Sequence, residues 1–364
     1  MFGFSMSNEQ KMVSREVSKL VKGLVADKAH EMDENKEIPE DVIQKAWELG
    51  ASVSSVPEEF GGHGMEDSPI ESIIVLEELA YGDMAFAVAA TSPSLFINPV
   101  LTMGTEEQKK KYLPLYCKEK FKASTLALNE PHFGSDVMNL KTTAVKNGGS
   151  YVINGTKCFV PMADKAGHML VAASLDGENN LFIVSADNPG VVIGEREKNL
   201  GCYALPTFEV EFKDCSVAEN DRLGGASGCN YTRFIQKTRV GMAAMAAGIA
   251  RASYEFAKEY AKGRVQFGEP IVNRQSVAFM LAEMSYEVDS IRLMAQKAAS
   301  ELAAGKDVTR SSYLAKMYAG EMAMKVTDFG VQIMGGHGYI REYPVERYYR
   351  NARGISILEG MAIV

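Results

Sequence analysis

The spacing of apolar residues changes twice along this chain, and that double switch dictates helices, then strands, then helices again. Up to about residue 121 the apolar positions recur every three to four residues. Met12, Val13, Val17, Leu20, Val21 and Leu24 make one stripe; Val42, Ile43, Ala46, Trp47 and Leu49 make another, stopped by Gly50. A helix gathers residues so spaced onto one face. Ser7-Asn-Glu-Gln opens the first of these segments and Pro39-Glu-Asp the second. Ser68-Pro-Ile-Glu opens a third through Ile73, Leu76, Leu79 and Ala80, and Thr105-Glu-Glu-Gln is a capping-box start for a fourth.

Near residue 122 the pattern shortens. Ser150-Tyr-Val-Ile-Asn-Gly, Met169-Leu-Val-Ala-Ala, Leu181-Phe-Ile-Val, Val191-Val-Ile and Phe208-Glu-Val-Glu-Phe are strand-length runs between glycine-bearing turns. They predict an antiparallel sheet or a small barrel. After Gly228, Ala- and Met-rich helical segments follow at 230–262, 271–304 and 308–333, broken at Gly268-Glu-Pro270 and Gly305-Lys-Asp307. Helices of that length predict an antiparallel bundle. A chain of 364 residues exceeds one ordinary core. The expected boundaries are an N-terminal helical domain 1–121, a middle β-domain 122–227 and a C-terminal helical domain 228–364.

Composition removes several functions. Lys and Arg number 39 against 47 acids, a net charge of −8 that argues against a general nucleic-acid binder. The five cysteines form no C-x-x-C pair, which fits a reducing compartment. The five histidines make no H-x-x-x-H spacing, so no metal site is expected. No apolar run is long enough for a membrane span. Met1-Phe-Gly-Phe-Ser-Met-Ser lacks the Arg-rich character of a transit peptide, and a cytoplasmic protein is expected.

Chemistry-bearing residues cluster in a few strings. Glu359 is the one acid in the uncharged run Ile355–Val364. A carboxylate in apolar surroundings has its charged form disfavoured and becomes a stronger base. Read alone, the same residue is better explained as a surface glutamate near a chain end; the strings below reverse that preference. Leu126-Ala-Leu-Asn-Glu-Pro-His-Phe-Gly-Ser-Asp136 leaves a strand for a Pro/Gly loop that offers amides and a hydroxyl to a polar ligand, or simply turns. Ile153-Asn-Gly-Thr-Lys-Cys-Phe-Val-Pro161 is a hairpin turn and strand with Phe159 and Pro161 on one face, fit to support an aromatic ring or to fill a sheet core. Lys237-Thr-Arg239 puts cations beside a small-residue helix face. Gly263-Arg-Val-Gln-Phe-Gly268 offers an arginine for phosphate, and Gly335-Gly-His-Gly338 an unhindered backbone or a helix cap. The similar Gly61-Gly-His-Gly64 shows how common such strings are.

In this order the strings resemble the acyl-CoA dehydrogenase family of flavoproteins. The resemblance runs from Pro57-Glu-Glu-Phe-Gly-Gly through Asn129-Glu-Pro-x-x-Gly-Ser-Asp, Asn154-Gly-x-Lys and Arg264-x-Gln-Phe-Gly. It continues through Gln332-Ile-Met-Gly-Gly-x-Gly, Glu342-Tyr-Pro-Val-Glu and Arg350-Asn-Ala to Glu359-Gly. It implies an α+β, mostly α fold: an N-terminal helical domain, a β-barrel-like middle domain and a C-terminal four-helix bundle. It also implies α,β-dehydrogenation of an acyl-CoA thioester with FAD as acceptor, Glu359 taking the α-proton and the β-hydride passing to flavin N5. The thioester oxygen is held in the family by a flavin ribityl hydroxyl and the backbone N–H of that glutamate. Some relatives carry the base just before the arginine of a Thr-Arg pair; here that position is Thr238, which strengthens the case for Glu359. Arg239 matches the active-site arginine beside the base. Leu126, Leu128, Asn129, Phe159 and Pro161 match residues around the isoalloxazine. Arg264, Gln266, Phe267, Gln332, Gly335 and Gly336 match those at the adenine and pyrophosphate, across a subunit interface, so a homodimer or homotetramer is implied. Ser135 matches a pantetheine contact, and Leu358 and Gly360 flank the base at the substrate. An electron-transferring flavoprotein is the implied electron partner.

The departures are specific. Phe159-Val-Pro161 stands where the family has Trp-x-Thr or Trp-x-Ser, so a hydroxyl near flavin N5 is missing and Pro161 has no N–H. Glu359-Gly-Met-Ala-Ile363 replaces Glu-Gly-Thr-x-Gln, and Gly201-Cys-Tyr-Ala-Leu-Pro-Thr207 lacks the family's Arg and Ser. Relatives continue through another helical stretch where this chain reaches Val364, so a trimmed chain is expected. Between Ala46 and Gln108 there is no Lys or Arg, so an uncharged, aliphatic or alicyclic acyl group is expected. Two other readings stay open: an enoyl-CoA reductase running the chemistry in reverse, and a catalytically silent binding or assembly subunit.

Overall fold

The computed structural model describes residues 6–50 and 52–364. Met1–Ser5, part of the stretch read for a transit peptide, lie outside the described residues. The first segment folds into α1 (Asn8–Leu20), α2 (Ala26–Asn35), α3 (Glu40–Glu48), α4 (Pro69–Gly82), α5 (Met84–Thr91), α6 (Ser94–Met103) and α7 (Glu106–Tyr112). The expected caps are present. Ser68 and Thr105 accept the N–H of Glu71 and Gln108, and the Gln108 side chain returns the bond to Thr105. The apolar periodicity does not reveal α5 and α6. Every residue of α5 is buried, so no polar face marks its period.

The middle segment holds β1 (Thr125–Ala127), β2 (Thr143–Asn147), β3 (Ser150–Pro161), β4 (His168–Leu175), β5 (Glu178–Ser185), β6 (Val191–Arg196) and β7 (Thr207–Ala218). They form one sheet in the order β1-β4-β2-β3-β7-β6, with β5 also on β4. The sheet is open, not a closed barrel, and it is mixed. β1 and β2 share one edge of β4, both parallel to it, β1 against Met169–Val171 and β2 against Ser174–Leu175. Tight hairpins join only antiparallel neighbours, so residues 128–142 leave the sheet between β1 and β2 as a long loop. That excursion carries the Asn129–Asp136 string.

The last segment is α8 (Tyr231–Gly263), a β8 (Val265–Gln266) and β9 (Glu269–Pro270) hairpin, α9 (Gln275–Ala303), α10 (Thr309–Met334), α11 (Gly336–Tyr339) and α12 (Val345–Ile357). The helices α8, α9 and α10 pack on one another, and α12 closes against α8 and α10. The cores cross the segments. Helix α4 lies along α8, tied by Arg251 to Glu77 and Glu78 and by the Tyr81 hydroxyl donating to Glu255. A second core joins Trp47 and Phe96 to Leu126, Leu128 and Leu170 of the sheet region and to Phe234 and Ile363. Where these cores meet, the end of α12 reaches the exit of β1.

Candidate active site

Glu359 lies just past α12, in a turn completed by Gly360 at φ 73°. A Cβ on Gly360 would stand 2.7 Å from Cδ2 of both Leu126 and Leu128. The turn therefore lies directly on the β1 exit, and only glycine satisfies both the conformation and the contact. Asn129 fastens it there. The Glu359 N–H donates to Asn129 Oδ1 (3.1 Å), and Asn129 Nδ2 donates to the Glu359 carbonyl (2.8 Å). The N–H that the family resemblance assigns to a thioester oxygen is thus bonded to Asn129.

The Glu359 side chain is 15% exposed. Its Oε1 is 3.3 Å from Arg239 Nε and 3.4 Å from Lys316 Nζ, while Oε2 is buried with no hydrogen-bond partner among the described residues. The apolar surroundings read from the sequence are therefore only half of its environment. Met361–Val364 are buried, but the carboxylate meets two cations. Lys316 escapes the sequence reading because it is one lysine within an Ala- and Met-rich helix. The available signal is its place between Ala315 and Ala319 on the buried face of α10.

A cavity of about 320 Å³ opens on this group, lined among others by Asn129, Ser135, Phe159, Arg239, Lys316 and Leu358. A second, of about 260 Å³, shares Phe159, Ile357 and Leu358 with it and carries Lys198, Arg350 and Arg353. Phe159 sits at φ 52°, inside a bulge between Lys157 and Val160, and its N–H donates to both carboxylate oxygens of Glu197 at 3.1 Å. The bulge breaks the alternation assumed from the sequence. Phe159 lines both cavities; Pro161 is buried and lines neither. The structure thus brings together Leu126, Leu128, Asn129, Ser135, Phe159, Arg239, Leu358, Glu359 and Gly360. It does not bring in the others. Arg264, Gln266 and Phe267 are exposed on the β8–β9 hairpin, Phe267 at 92%, and Gln332, Gly335 and Gly336 are exposed at the end of α10.

Beneath the cavity is a buried ion pair. Lys157 Nζ, 0% exposed, donates to Glu130 Oε1 (2.9 Å) and to the Leu128 carbonyl (3.1 Å). Glu130 also accepts the N–H groups of Lys141 and Thr142, both at 2.8 Å. Burial alone pushes the Glu130 carboxyl up, but the Lys157 ammonium and the two amides outweigh it and hold it at about 2. The same burial drives Lys157 down to about 8 against the pull of Glu130. The pair bolts residues 128–130, and so Asn129, to β3.

Comparison with known proteins fits this layout. The acyl-CoA dehydrogenase N-terminal domain matches residues 7–120, the middle domain 125–215 and the C-terminal domain 229–362. The chain belongs to the acyl-CoA dehydrogenase family. It is 34% identical to an acyl-CoA dehydrogenase of Bacillus subtilis (strain 168), over 98% of this chain and 95% of that one. It is 33% identical to an acryloyl-CoA reductase (NADH) of Anaerotignum propionicum, over 98% and 92%. Two solved structures, butyryl-CoA dehydrogenase from Megasphaera elsdenii and a chain described with the electron transferring flavoprotein of Acidaminococcus fermentans, each superpose at TM-score 0.89. Each shares 32% identity, over 98% of this chain and 95% of that one. The protein is an acyl-CoA dehydrogenase-type oxidoreductase, and the family points to a flavin cofactor.

The residues fit such a ring on its apolar side. The half-buried Phe159 and Leu358 and the glycine turn laid on Leu126 and Leu128 supply apolar surface, while Lys198, Arg350 and Arg353 line the adjoining cavity. Three groups expected at the ring's edge are not free to bond it: the Phe159 N–H is bonded to Glu197, the Asn129 amide to Glu359, and Pro161 has no N–H.

Proposed function

We propose that this chain oxidises a saturated, uncharged acyl-CoA thioester to the enoyl-CoA, with Glu359 Oε2 as the base. The reading rests on one observation: Oε1 is bound by Arg239 and Lys316 while Oε2 is buried beside the cavity without a partner. The α-C–H bond breaks, the proton moves to Oε2, and its electron pair enters the forming double bond as the β-hydrogen departs with the other pair. FAD, when bound, supplies the acceptor for that hydride. Arg239 and Lys316 hold Oε1 of the base in place before the step. Asn129 fixes its peptide, and releases the Glu359 N–H if a thioester oxygen is to be held there.

Leu126, Leu128, Asn129 and Phe159 would hold the flavin ring, and Pro161 ends the strand that carries Phe159. Ser135 meets the pantetheine arm; Leu358 and Gly360 wall the thioester. Arg264, Gln266, Phe267, Gln332, Gly335 and Gly336 serve the adenine and pyrophosphate of a neighbouring subunit, which is supported by their exposure away from the cavity. A homodimer or homotetramer follows, with electrons leaving to an electron-transferring flavoprotein. The reverse reaction, reduction of an enoyl-CoA, uses the same atoms and is favoured by the likeness to the acryloyl-CoA reductase.

Purified protein tests this directly. Yellow protein bleached anaerobically by one member of a panel of saturated acyl-CoA thioesters is the expected result. Colourless protein that FAD does not reconstitute sinks the proposal and leaves a binding or assembly role.

A further inference from the structure

We propose that Lys316 is the residue that decides which oxygen of Glu359 acts as the base, an inference that rests on Glu359 having that role. Lys316 is 8% exposed, and its recorded ion pair is with Glu359 Oε1 at 3.4 Å. A cationic side chain buried this deeply is found paired, and here the partner is that carboxylate. Its position is set by helix packing rather than by the cavity. One turn further along α10, Gly320 lies against α12, where a Cβ would be 3.1 Å from Ser356 Cα. Ser356 is three residues before Glu359, so the two helices are in contact immediately beside the ammonium on α10 and the carboxylate just past α12.

The same face of α10 orients the other cation. The Arg239 guanidinium lies 5.5 Å from the centre of the Tyr313 ring, three residues before Lys316. Arg239 then reaches Oε1 at 3.3 Å. Two cations converge on one oxygen and none on the other. With Oε1 so occupied, rotation of the carboxylate costs both ion pairs, and Oε2 is the oxygen left to face a substrate hydrogen. Lys316 lines the same cavity and acts through the carboxylate it pairs with; it is a positioning residue. Removing it leaves Arg239 alone, and the carboxylate gains freedom to turn. A displacement of order 1 Å at a reacting group costs on the order of 100-fold in rate.

The test uses flavin-loaded enzyme and the saturated acyl-CoA that bleaches it fastest, comparing Lys316→Met, Lys316→Arg and Glu359→Gln. The readouts are α-proton exchange with D₂O followed by NMR, and the dissociation constant of the thioester. Lys316→Met should slow exchange by about 10- to 100-fold while thioester affinity changes less than about three-fold. Lys316→Arg, which restores a cation, should recover most of the rate. Wild-type exchange in Lys316→Met, with Glu359→Gln inactive, overturns this proposal alone. Wild-type exchange in Glu359→Gln overturns the base assignment and this inference with it. If Lys316→Met does not fold, Lys316→Gln takes its place, and equal loss of rate and affinity in it, unrescued by Arg, reduces Lys316 to a structural residue.

Discussion

Asn129 holds the peptide of Glu359 from both sides, accepting its N–H at 3.1 Å and donating to its carbonyl at 2.8 Å, across 230 residues of sequence. A side-chain amide is the group that can do both at once, since it carries a donor and an acceptor on one plane. Asn129→Asp keeps the acceptor but turns the donor into a second acceptor facing the carbonyl. Leaving that carbonyl unsatisfied costs about 1–3 kcal/mol. Urea unfolding should show the loss, and flavin bleaching by acyl-CoA should slow with it. Unchanged stability and rate in Asn129→Asp would mean that the amide is a bystander.

Glu359→Gln keeps the shape of the side chain and removes the base. General acid–base groups contribute about 100- to 10,000-fold, so reduction of the flavin by acyl-CoA should fall at least about 100-fold. Affinity for the thioester should survive within a few-fold. Stopped-flow bleaching and equilibrium titration separate the two quantities.

Lys157→Met leaves Glu130 buried without its counter-charge. Breaking a buried pair from one side costs about 3–5 kcal/mol. Lys157→Met/Glu130→Gln should lose less than the sum of the single changes, because the double variant no longer buries an unpaired ion. A double-mutant cycle in denaturant measures the coupling.

The Glu130 carboxyl also sets an acid limit. Its folded value of about 2 lies below the ordinary 4.5, so the folded state binds fewer protons than the unfolded chain in that interval. Its contribution is therefore complete above about pH 4.5 and disappears as the pH falls towards 2. Wild-type stability should drop steeply across that window, and Glu130→Gln should flatten the drop.

Gly360→Ala places a methyl group 2.7 Å from two leucines at a positive φ. Strain and overpacking each cost about 1–3 kcal/mol. A lower melting temperature is expected together with slower bleaching, since the same turn carries Glu359. Alanine tolerated with full activity would show that the turn can shift without moving the base.

The local grammar of this chain was readable without coordinates. The stripe from Met12 to Leu24 runs through α1 into the π-helical turn Val21–Val25, and the caps at Ser68 and Thr105 and the breaks at Gly268 and Gly305 each mark the start or end of an element that the structure contains. Helix α5 was hidden because burial on all sides erases the polar face that periodicity needs. The bulge at Phe159 was hidden because one extra residue reverses the parity of a strand without altering its composition. The sequence also marked Glu359, Arg239 and Asn129 as chemical candidates. It was tertiary packing that seated Asn129 on the Glu359 peptide, brought Lys316 from α10 to the same oxygen as Arg239, and left the hairpin of Arg264, Gln266 and Phe267 away from the cavity. Apolar spacing states which side of an element is covered, but which element covers it depends on how the assembled surfaces fit, and those contacts join residues far apart in the chain.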